Sequence, residues 1–205
     1  MLEEGKFGNI LKAATLATMV GSSAPGMPTH DNKADANIHQ AANPTPNNKV
    51  SYNAIFKQLV KHEGYKKHIY LDKLNIPTIG IGFNLNDRGN QKILAKYGIT
   101  QRHLQQGITD AEIKELFDET LKIATANAKR FAPNLDSLPI NAQLAIIDLS
   151  FNLGSEKLAK FKVLRQALAK KDFIAAAAAL KDSKWYHQVG NRGIDLVNQL
   201  RSASS

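Results

Sequence analysis

The sequence of 205 residues contains no cysteine, which excludes disulfide bonds and thiolate metal sites. It also has no internal repeat, no phosphate-binding glycine loop and no spacing of His, Asp and Glu that is typical of a metal site. We therefore predict that the protein uses neither a metal nor another cofactor. The apolar stretch at residues 7–20 is shorter than the about 20 residues that cross a bilayer, so no transmembrane span is predicted.

Aromatic residues and prolines divide the chain into two parts. Residues 21–50 contain no Phe, Trp or Tyr, and four of the seven prolines of the chain lie in residues 25–46. A segment with so few large apolar side chains cannot bury a core, and we predict a flexible linker there. The predicted organisation is an N-terminal segment, residues 1–50, followed by one folded domain, residues 51–205.

The apolar stretch at residues 7–20 has two remaining interpretations. A secretory signal peptide would be cut after Ala24, but the stretch is short, two glutamates precede it, and Pro25 fits poorly after the cut. A short amphipathic helix that docks on a partner protein is the interpretation we favour. Its shared apolar face would consist of Phe7, Ile10, Leu11 and Ala14.

A carboxylate falls on the apolar face of a predicted helix, residues 52–63. Apolar side chains recur at helical spacing through this segment, and the same row continues to Glu63. Gly64 then ends the helix, so Glu63 lies at a helix C-terminus. Burial and the negative end of the helix dipole both favour a protonated acid, which is what general acid catalysis requires. The ordinary alternative is a solvated glutamate at a frayed helix end.

The period of the sequence then changes to two, which predicts a hairpin. Tyr70 and Asp72 share one face of the first strand, and residues 73–75 form the turn. The second strand, residues 78–83, has one apolar face and one nearly bare face. That bare face carries Thr78, Gly80 and Gly82. We expect it to be a floor on which a sugar ring lies, with Asp72 and Thr78 beside it; the alternative is a bulged edge hairpin with an ordinary exposed aspartate.

Two carboxylates and a hydroxyl that lie close together are the parts of a glycosidase site. In this chain the helix end and the hairpin would bring together Glu63, Asp72 and Thr78. The spacing of these three residues and the alternating Gly and Ile of residues 78–82 resemble the phage-type lysozymes. Two further patches are similar to that family, residues 151–154 with an aromatic and an amide, and residues 183–192 with Trp-Tyr and Asn-Arg pairs.

The resemblance implies muramidase activity, which is cleavage of the β-1,4 bond between N-acetylmuramic acid and N-acetylglucosamine in peptidoglycan. Glu63 would be the general acid that protonates the leaving oxygen. Asp72 would stabilise charge in the transition state and, with Thr78, position the attacking water. The family acts with inversion, so the two carboxyl groups should lie roughly 6.5–9.5 Å apart.

The same resemblance assigns further residues. Arg192 matches the position that pairs with the catalytic glutamate, and such a pair favours ionised Glu63, so the balance of effects on this acid stays open. Tyr70 would support the site. Phe83 stands where the family usually has a His that helps to hold the small lobe. The residues that we expect to bind substrate are Gly80, Gly82, Phe151 and Asn152.

Beyond the hairpin the sequence is helical. Thr109 and Glu112 form a capping box that opens a helix, and residues 140–151 are apolar on all sides, which predicts a buried central helix. Trp185 is expected in the core rather than on a sugar-binding surface. Further helices are predicted at residues 155–168, after an Asp172 cap and at residues 190–200. The predicted class is α+β, predominantly helical, a two-lobed fold with a small β-hairpin lobe and a helical large lobe.

The formal charge of +9 belongs entirely to residues 51–205, because residues 1–50 carry four basic and four acidic side chains. A basic domain attracts polyanions, and the bacterial cell wall is one. DNA is the competing interpretation, but no recognition-helix pattern or interleaving of aromatic and basic residues is present, so no specific nucleic acid is expected. The expected partners are bacterial peptidoglycan and, if residues 7–20 dock, a component of the phage virion.

The expected place of action is the bacterial cell wall, reached from the exterior or the periplasm. The resemblance implies a phage-encoded protein that is either carried in the virion or released at lysis. A wall-binding or structural virion protein on the same scaffold, without catalysis, is the second hypothesis, and an enzyme that acts on chitin is the third. An acid retained on the apolar face of a helix favours the enzyme.

Overall fold

The computed structural model describes residues 49–204, so the predictions for residues 1–48 lie outside the described part of the chain. The described residues form a predominantly helical α+β fold with a three-stranded antiparallel sheet, which confirms the predicted fold class. None of the described helices is long and apolar enough to cross a membrane. The helices are α1 (Tyr52–Glu63), α2 (Arg88–Lys96), α3 (Gln101–Gln106), α4 (Asp110–Phe131), α5 (Ile140–Leu158), α6 (Lys162–Ala169), α7 (Phe173–Lys181), α8 (Lys184–Val189) and α9 (Asn191–Ser202). The strands are β1 (Lys66–Leu71), β2 (Pro77–Gly80) and β3 (Phe83–Asn84), and a 3-10 turn covers Leu135–Ser137.

Helix α1 begins and ends as its sequence predicts. The hydroxyl of Ser51 accepts a hydrogen bond from the backbone N–H three residues later, and Gly64 ends the helix with a φ of 82°. Ile55 and Leu59 are buried, and α1 packs against α5. Because this buried face continues to the last residue of the helix, Glu63 is directed inward, with a side chain that is 18% exposed.

Helix α5 is the buried centre of the fold, which confirms the prediction from its apolar sequence. Every residue from Ala142 to Ser150 is buried, and the helix packs against α1, α4 and α9. Asp148 lies in the middle of this run, and its side chain has no exposed surface. A carboxylate in such a place is stable only if charges or hydrogen bonds compensate it. Gly154, with φ of 68° and ψ of 176°, kinks the helix near its end.

Helix α4 begins at the predicted capping box. The Thr109 hydroxyl accepts a hydrogen bond from the N–H of Glu112 at 3.2 Å, and the Glu112 carboxylate accepts the N–H of Thr109 at 2.7 Å. The bond from the Thr109 backbone is the main reason why the pKa of Glu112 is lowered. These two bonds fix where α4 enters the fold, and Ile113, Leu116 and Phe117 are buried in the turns that follow.

The sheet differs from the prediction in its glycine-rich run. β1 pairs with β2, where Tyr70 lies opposite Thr78, and β2 pairs with β3. The prediction of one strand over residues 78–83 is wrong, because Gly80 and Gly82 have φ values of 65° and 64°. These left-handed values turn the chain between β2 and β3, and glycine adopts them without steric cost.

The C-terminal part contains more and shorter helices than predicted. α5 continues to Leu158 and α6 begins at Lys162, whereas the sequence predicts one helix over residues 155–168. The intervening residues 159–161 form a turn with short-range backbone hydrogen bonds. These residues include no Gly or Pro, so the sequence gives no signal of the turn. The short helix α8 was not predicted. The cap of α7 is as predicted, since the Asp172 carboxylate accepts the backbone N–H three residues later at 2.9 Å.

Candidate active site

Glu63 is held between the last helix and the turn that joins β2 to β3. Its Oε1 accepts a hydrogen bond from Nη1 of Arg192 at 2.6 Å. A Cβ atom placed on Gly82 would lie 2.7 Å from Oε2 of Glu63, which is too close for any other residue type without movement. The carboxylate is therefore positioned by a charge on one side and by backbone on the other.

Arg192 joins Glu63 to a second carboxylate, that of Asp148. Nε donates to Oδ1 of Asp148 at 2.8 Å, and Nη2 lies 2.7 Å from the same oxygen. Nη2 also donates to the backbone carbonyl of Asp148 at 3.3 Å. Burial of Arg192, which is 7% exposed, would lower its pKa, but the charges of Glu63 and Asp148 hold the pKa above the usual arginine value. The guanidinium is therefore a fixed positive charge at the centre of the site.

His62 extends this arrangement away from Glu63. Its Nδ1 lies 2.8 Å from Oδ2 of Asp148, and its Nε2 lies 2.9 Å from Oδ2 of Asp195. Lys61 donates to the same oxygen of Asp195 at 2.6 Å. Burial lowers the pKa of His62, but the hydrogen bonds and charges of the two aspartates outweigh it, so the net pKa is raised. With His62 protonated, positive and negative groups alternate from Glu63 to Lys61.

No pattern in the sequence places His62 or Asp148 in the site. The two side chains are 86 residues apart in sequence, and Asp148 is 44 residues from Arg192, so no local pattern connects them. One signal was available, because Asp148 is the only carboxylate in the apolar run of α5. A charge at such a position predicts a partner, although not which one.

Asp72 is held by its own turn rather than by a distant charge. Its Oδ1 accepts the backbone N–H groups of Leu74 at 2.7 Å and of Ile76 at 2.9 Å. Asn75, with a φ of 58°, completes the turn by donating its N–H to the carbonyl of Asp72 at 3.0 Å. Both side-chain bonds use Oδ1, so Oδ2 receives no hydrogen bond from residues 49–204. The turn therefore fixes the carboxylate and leaves one oxygen for other contacts.

Tyr70 connects the two acidic residues. Its hydroxyl donates to the backbone carbonyl of Glu63 at 3.3 Å. Burial raises the pKa of Tyr70, and the charges of Glu63 and Asp72 raise it further. A hydrogen bond with the backbone of Gly82 lowers this pKa by less than the other effects raise it. Tyr70 therefore binds the end of α1 at Glu63 and lies two residues before Asp72 in the chain.

Thr78 is hydrogen-bonded to the turn that holds Asp72. It is 4% exposed, and its hydroxyl donates to the carbonyl of Ile76 at 2.9 Å. Ile76 is also the residue whose N–H binds Asp72, so the hydroxyl and the carboxylate belong to one hydrogen-bonded unit. The hydroxyl oxygen can still accept a hydrogen bond, and its role in positioning water stays a prediction.

The predicted sugar floor is not a flat strand face. Gly80 is buried, and a Cβ atom on it would lie 3.7 Å from the side chain of Ile113 in α4. Gly80 therefore packs the sheet against α4 and does not line an open surface. Gly82 is partly exposed and lies against Glu63, so it stays at the site. The two glycines that the sequence pattern placed on one face have different positions because the chain turns between them.

The predicted contacts on α5 lie next to each other but differ in exposure. Phe151 is half-buried, with its ring centre 6.1 Å from that of Phe117. Asn152 is exposed, and its Oδ1 accepts a hydrogen bond from Nε1 of Trp185 at 2.8 Å. Trp185 itself is 7% exposed and belongs to the core, as expected. Asn152 still has an amide nitrogen that can donate to a ligand, and its substrate contact stays a prediction.

A helix-rich α+β domain with a glutamate–arginine pair beside a small glycine-rich sheet fits a lysozyme-like hydrolase, and similarity to known proteins supports that class. The chain belongs to the phage lysozyme family, since the profile described as Phage lysozyme matches residues 60–203. This match confirms the resemblance that the site motif indicates.

Individual relatives are similar at modest identity. The chain is 27% identical over 162 residues to "Probable T4-type lysozyme 1" of Dictyostelium discoideum, which covers 72% of this chain and 94% of that protein. "Probable T4-type lysozyme 2" of the same organism is also 27% identical, over 160 residues, with 72% and 94% covered. The "Pre-baseplate central spike protein Gp5" of Enterobacteria phage T4 is 26% identical over 175 residues, which cover 77% of this chain and 30% of that protein.

Proposed function

We propose that this protein is a muramidase that cleaves the β-1,4 bond between N-acetylmuramic acid and N-acetylglucosamine in peptidoglycan, with inversion. The observation that carries the proposal is the acid at the end of α1. Glu63 is mostly buried and is bound to Arg192, and the Tyr70 hydroxyl donates a hydrogen bond to its backbone carbonyl. Family membership and the names of the two T4-type relatives support the same reaction.

Glu63 acts as the general acid in this mechanism. It holds a proton when the substrate binds and gives it to the glycosidic oxygen as the bond breaks. When the proton has left, Nη1 of Arg192, at 2.6 Å, stabilises the new carboxylate. While the proton is present, Asp148 neutralises the guanidinium, so Arg192 is paired at every step.

Asp72 and Thr78 act on the opposite face of the sugar. The free oxygen of Asp72 stabilises the positive charge that develops on the sugar and, with the Thr78 hydroxyl, orients the attacking water. The water oxygen bonds to the anomeric carbon from the side opposite to the leaving oxygen and gives its proton to Oδ2 of Asp72, which gives inversion. Room for that water requires carboxyl groups roughly 6.5–9.5 Å apart.

The surroundings of the acid supply the other proposed contacts. Gly82 lets backbone approach the sugar beside Glu63, and Phe151 and Asn152 contact it from α5. Tyr70 supports the site by binding the carbonyl at the end of α1. The positive charge of residues 51–205 favours binding to the anionic wall.

The test is clearing of permeabilised bacterial cells by wild type and by Glu63→Gln, which keeps the size of the side chain and cannot donate an acidic proton. We expect Glu63→Gln to clear at least about 100-fold more slowly. Appearance of reducing ends and mass spectrometry of the fragments identify the bond that is cut. Equal clearing by both proteins excludes the mechanism, and products from chitin but not from peptidoglycan exclude the substrate.

The setting that we infer is a phage-encoded protein that reaches the wall from the exterior or the periplasm. Residues 1–50 would form an N-terminal segment that joins the catalytic domain, residues 51–205, to a virion component through residues 7–20. The similarity to a phage spike protein favours this arrangement. Purified particles should then contain the full-length chain by N-terminal sequencing. A mature chain that lacks residues 1–24 would favour an exported protein instead.

A virion protein without catalysis is the second candidate, and the same spike relative favours it. Such a protein would bind isolated cell wall and release no reducing ends. Binding and release, measured on the same wall preparation, separate the two candidates.

A further inference from the structure

Arg192 is shared unequally between two carboxylates. One nitrogen, Nη1, binds Glu63, whereas Nε and Nη2 both bind Oδ1 of Asp148. Asp148 has no exposed surface, and Arg192 is 7% exposed, so water screens their interaction little. One guanidinium carries one positive charge, which cannot fully neutralise two buried carboxylates. The remaining negative charge is relieved by a proton on Glu63 or by another cation near Asp148.

Besides Arg192, His62 is the side chain in contact with Asp148 that can carry a positive charge. Its Nδ1 contacts Asp148 on α5, and its Nε2 contacts Asp195 on α9. Burial lowers the pKa of His62, but its contacts with the two aspartates at 2.8 and 2.9 Å raise the pKa by more, so they favour the protonated imidazole. When His62 is charged, both His62 and Arg192 neutralise the charge of Asp148, so Asp148 attracts Arg192 less strongly. When His62 is neutral, Asp148 depends on Arg192 alone.

We propose that Asp148 is a positioning residue that competes with Glu63 for the charge of Arg192, so that Glu63 keeps the proton it donates, and that His62 sets the strength of this competition. The inference rests on the proposed role of Glu63 as general acid. Asp148 reaches the reaction only through Arg192, since its side chain is fully buried. An isolated arginine–glutamate pair would hold the acid in its ionised form, and the second carboxylate removes part of that effect.

Further charged and polar groups near this unit come from each element packed on it. Around Glu63 these groups are Arg192 from α9 and Tyr70 from β1. The charge of Asp72, from the β1–β2 turn, also acts on the Tyr70 phenol. The groups that face His62 and Asp148 are Asp195 and Arg192 from α9, and Gln58 and Lys61 from α1, the last through Asp195. The substitutions Asp148→Asn and His62→Gln each leave these surrounding groups in place.

Two substitutions should move the activity profile in opposite directions. Asp148→Asn removes the competing charge, so Arg192 favours ionised Glu63, and the alkaline midpoint of activity should fall by about one pH unit. His62→Gln removes the cation but keeps a side-chain donor for Asp148. Asp148 then draws more on Arg192, and the alkaline midpoint should rise by about half a pH unit. A residue that only holds the fold would reduce activity equally at every pH.

The experiment measures clearing rates from pH 4 to pH 10 for wild type, the two variants and Asp118→Asn. The last is a matched control, because it removes an aspartate that binds Lys114 and Tyr52 outside this unit. Its midpoint should equal that of the wild type. Thermal unfolding of each protein shows which variants fold. If Asp148→Asn does not fold, the midpoint of His62→Gln alone tests the proposal. Midpoints that stay unchanged, or that move in the same direction, overturn the proposal.

A second measurement separates this proposal from the proposed function. The carboxyl carbon of Glu63, assigned by its loss in Glu63→Gln, is titrated by NMR in wild type and in both variants. Opposite movements of its titration midpoint support the sharing of Arg192 even if the wild type cleaves no peptidoglycan. An unchanged midpoint in both variants overturns it even if the wild type is an active muramidase.

Discussion

The two acidic residues of the candidate site are held in different ways. Glu63 is bound by Arg192, which lies 129 residues further along the chain, within a unit of ion pairs that connects three helices. Asp72 is bound by two backbone N–H groups within four residues of it. The acid that changes its protonation state in the proposed mechanism therefore depends on tertiary packing, whereas the other carboxylate is fixed by local structure. Substitutions should expose this difference.

The largest effect is expected for Arg192→Met. The substitution keeps an apolar chain in the buried space but leaves Asp148 and Glu63 as neighbouring carboxylates without their cation. Breaking a buried pair in this way should cost about 3–5 kcal/mol of the free energy of unfolding, measured with urea. Lys61→Met is the control, because Lys61 is 65% exposed, and it should cost less than about 1 kcal/mol. Equal costs for both would contradict the central place of Arg192.

A pair of glycine substitutions separates backbone strain from displacement of Glu63. Gly82→Ala and Gly64→Ala both place a side chain at positive φ, 64° and 82°. Gly64 also has a ψ of −178°, a combination that is essentially limited to glycine, so its backbone strain should cost roughly 1–3 kcal/mol, at least as much as that at Gly82. At Gly82 the new Cβ would also lie 2.7 Å from the Glu63 carboxylate, whereas at Gly64 nothing lies within 4 Å. We therefore expect a loss of activity of about 100-fold for Gly82→Ala, well beyond that of Gly64→Ala. Urea unfolding and clearing assays on the same samples compare the two losses.

The same contrast explains which parts of the site could be predicted from sequence. The end of α1 at Gly64 and the turn at Asp72 depend on residues next to each other in the chain. Their signals are a helical apolar row, a glycine stop and a polar turn, and all are visible in one segment. The unit around Asp148 joins segments that are far apart, so sequence showed only that a buried carboxylate needs partners. The glycine-rich run misled the prediction because its alternation is also that of a strand, whereas φ decides the structure.

His62, which is buried between two aspartates, makes the free energy of unfolding depend on pH. The folded pKa of His62 is raised above 6.5, because the aspartates outweigh burial. Its contribution is therefore complete below about pH 6.5, the unfolded value, and is lost as pH rises through the folded pKa. The slope of the free energy of unfolding in this range should reach at most about 1.4 kcal/mol per pH unit.

His62→Gln should remove this slope, and His187→Gln should not, because His187 is exposed. Urea unfolding at several pH values above 6 measures both. A slope that persists in His62→Gln would assign the pH dependence to another group.

The smallest effect on stability is expected where charge is removed from the local turn. Asp72→Asn keeps the oxygen that accepts the N–H groups of Leu74 and Ile76, so the free energy of unfolding should change by less than about 0.5 kcal/mol. Asp72→Ala removes both hydrogen bonds and should cost about 1–2 kcal/mol. Clearing activity should be low in both, since both lack the carboxylate. If Asp72→Asn lowers the free energy of unfolding as much as Asp72→Ala does, the charge and not the hydrogen bonding holds the turn. The contrast between the two acidic residues would then be lost.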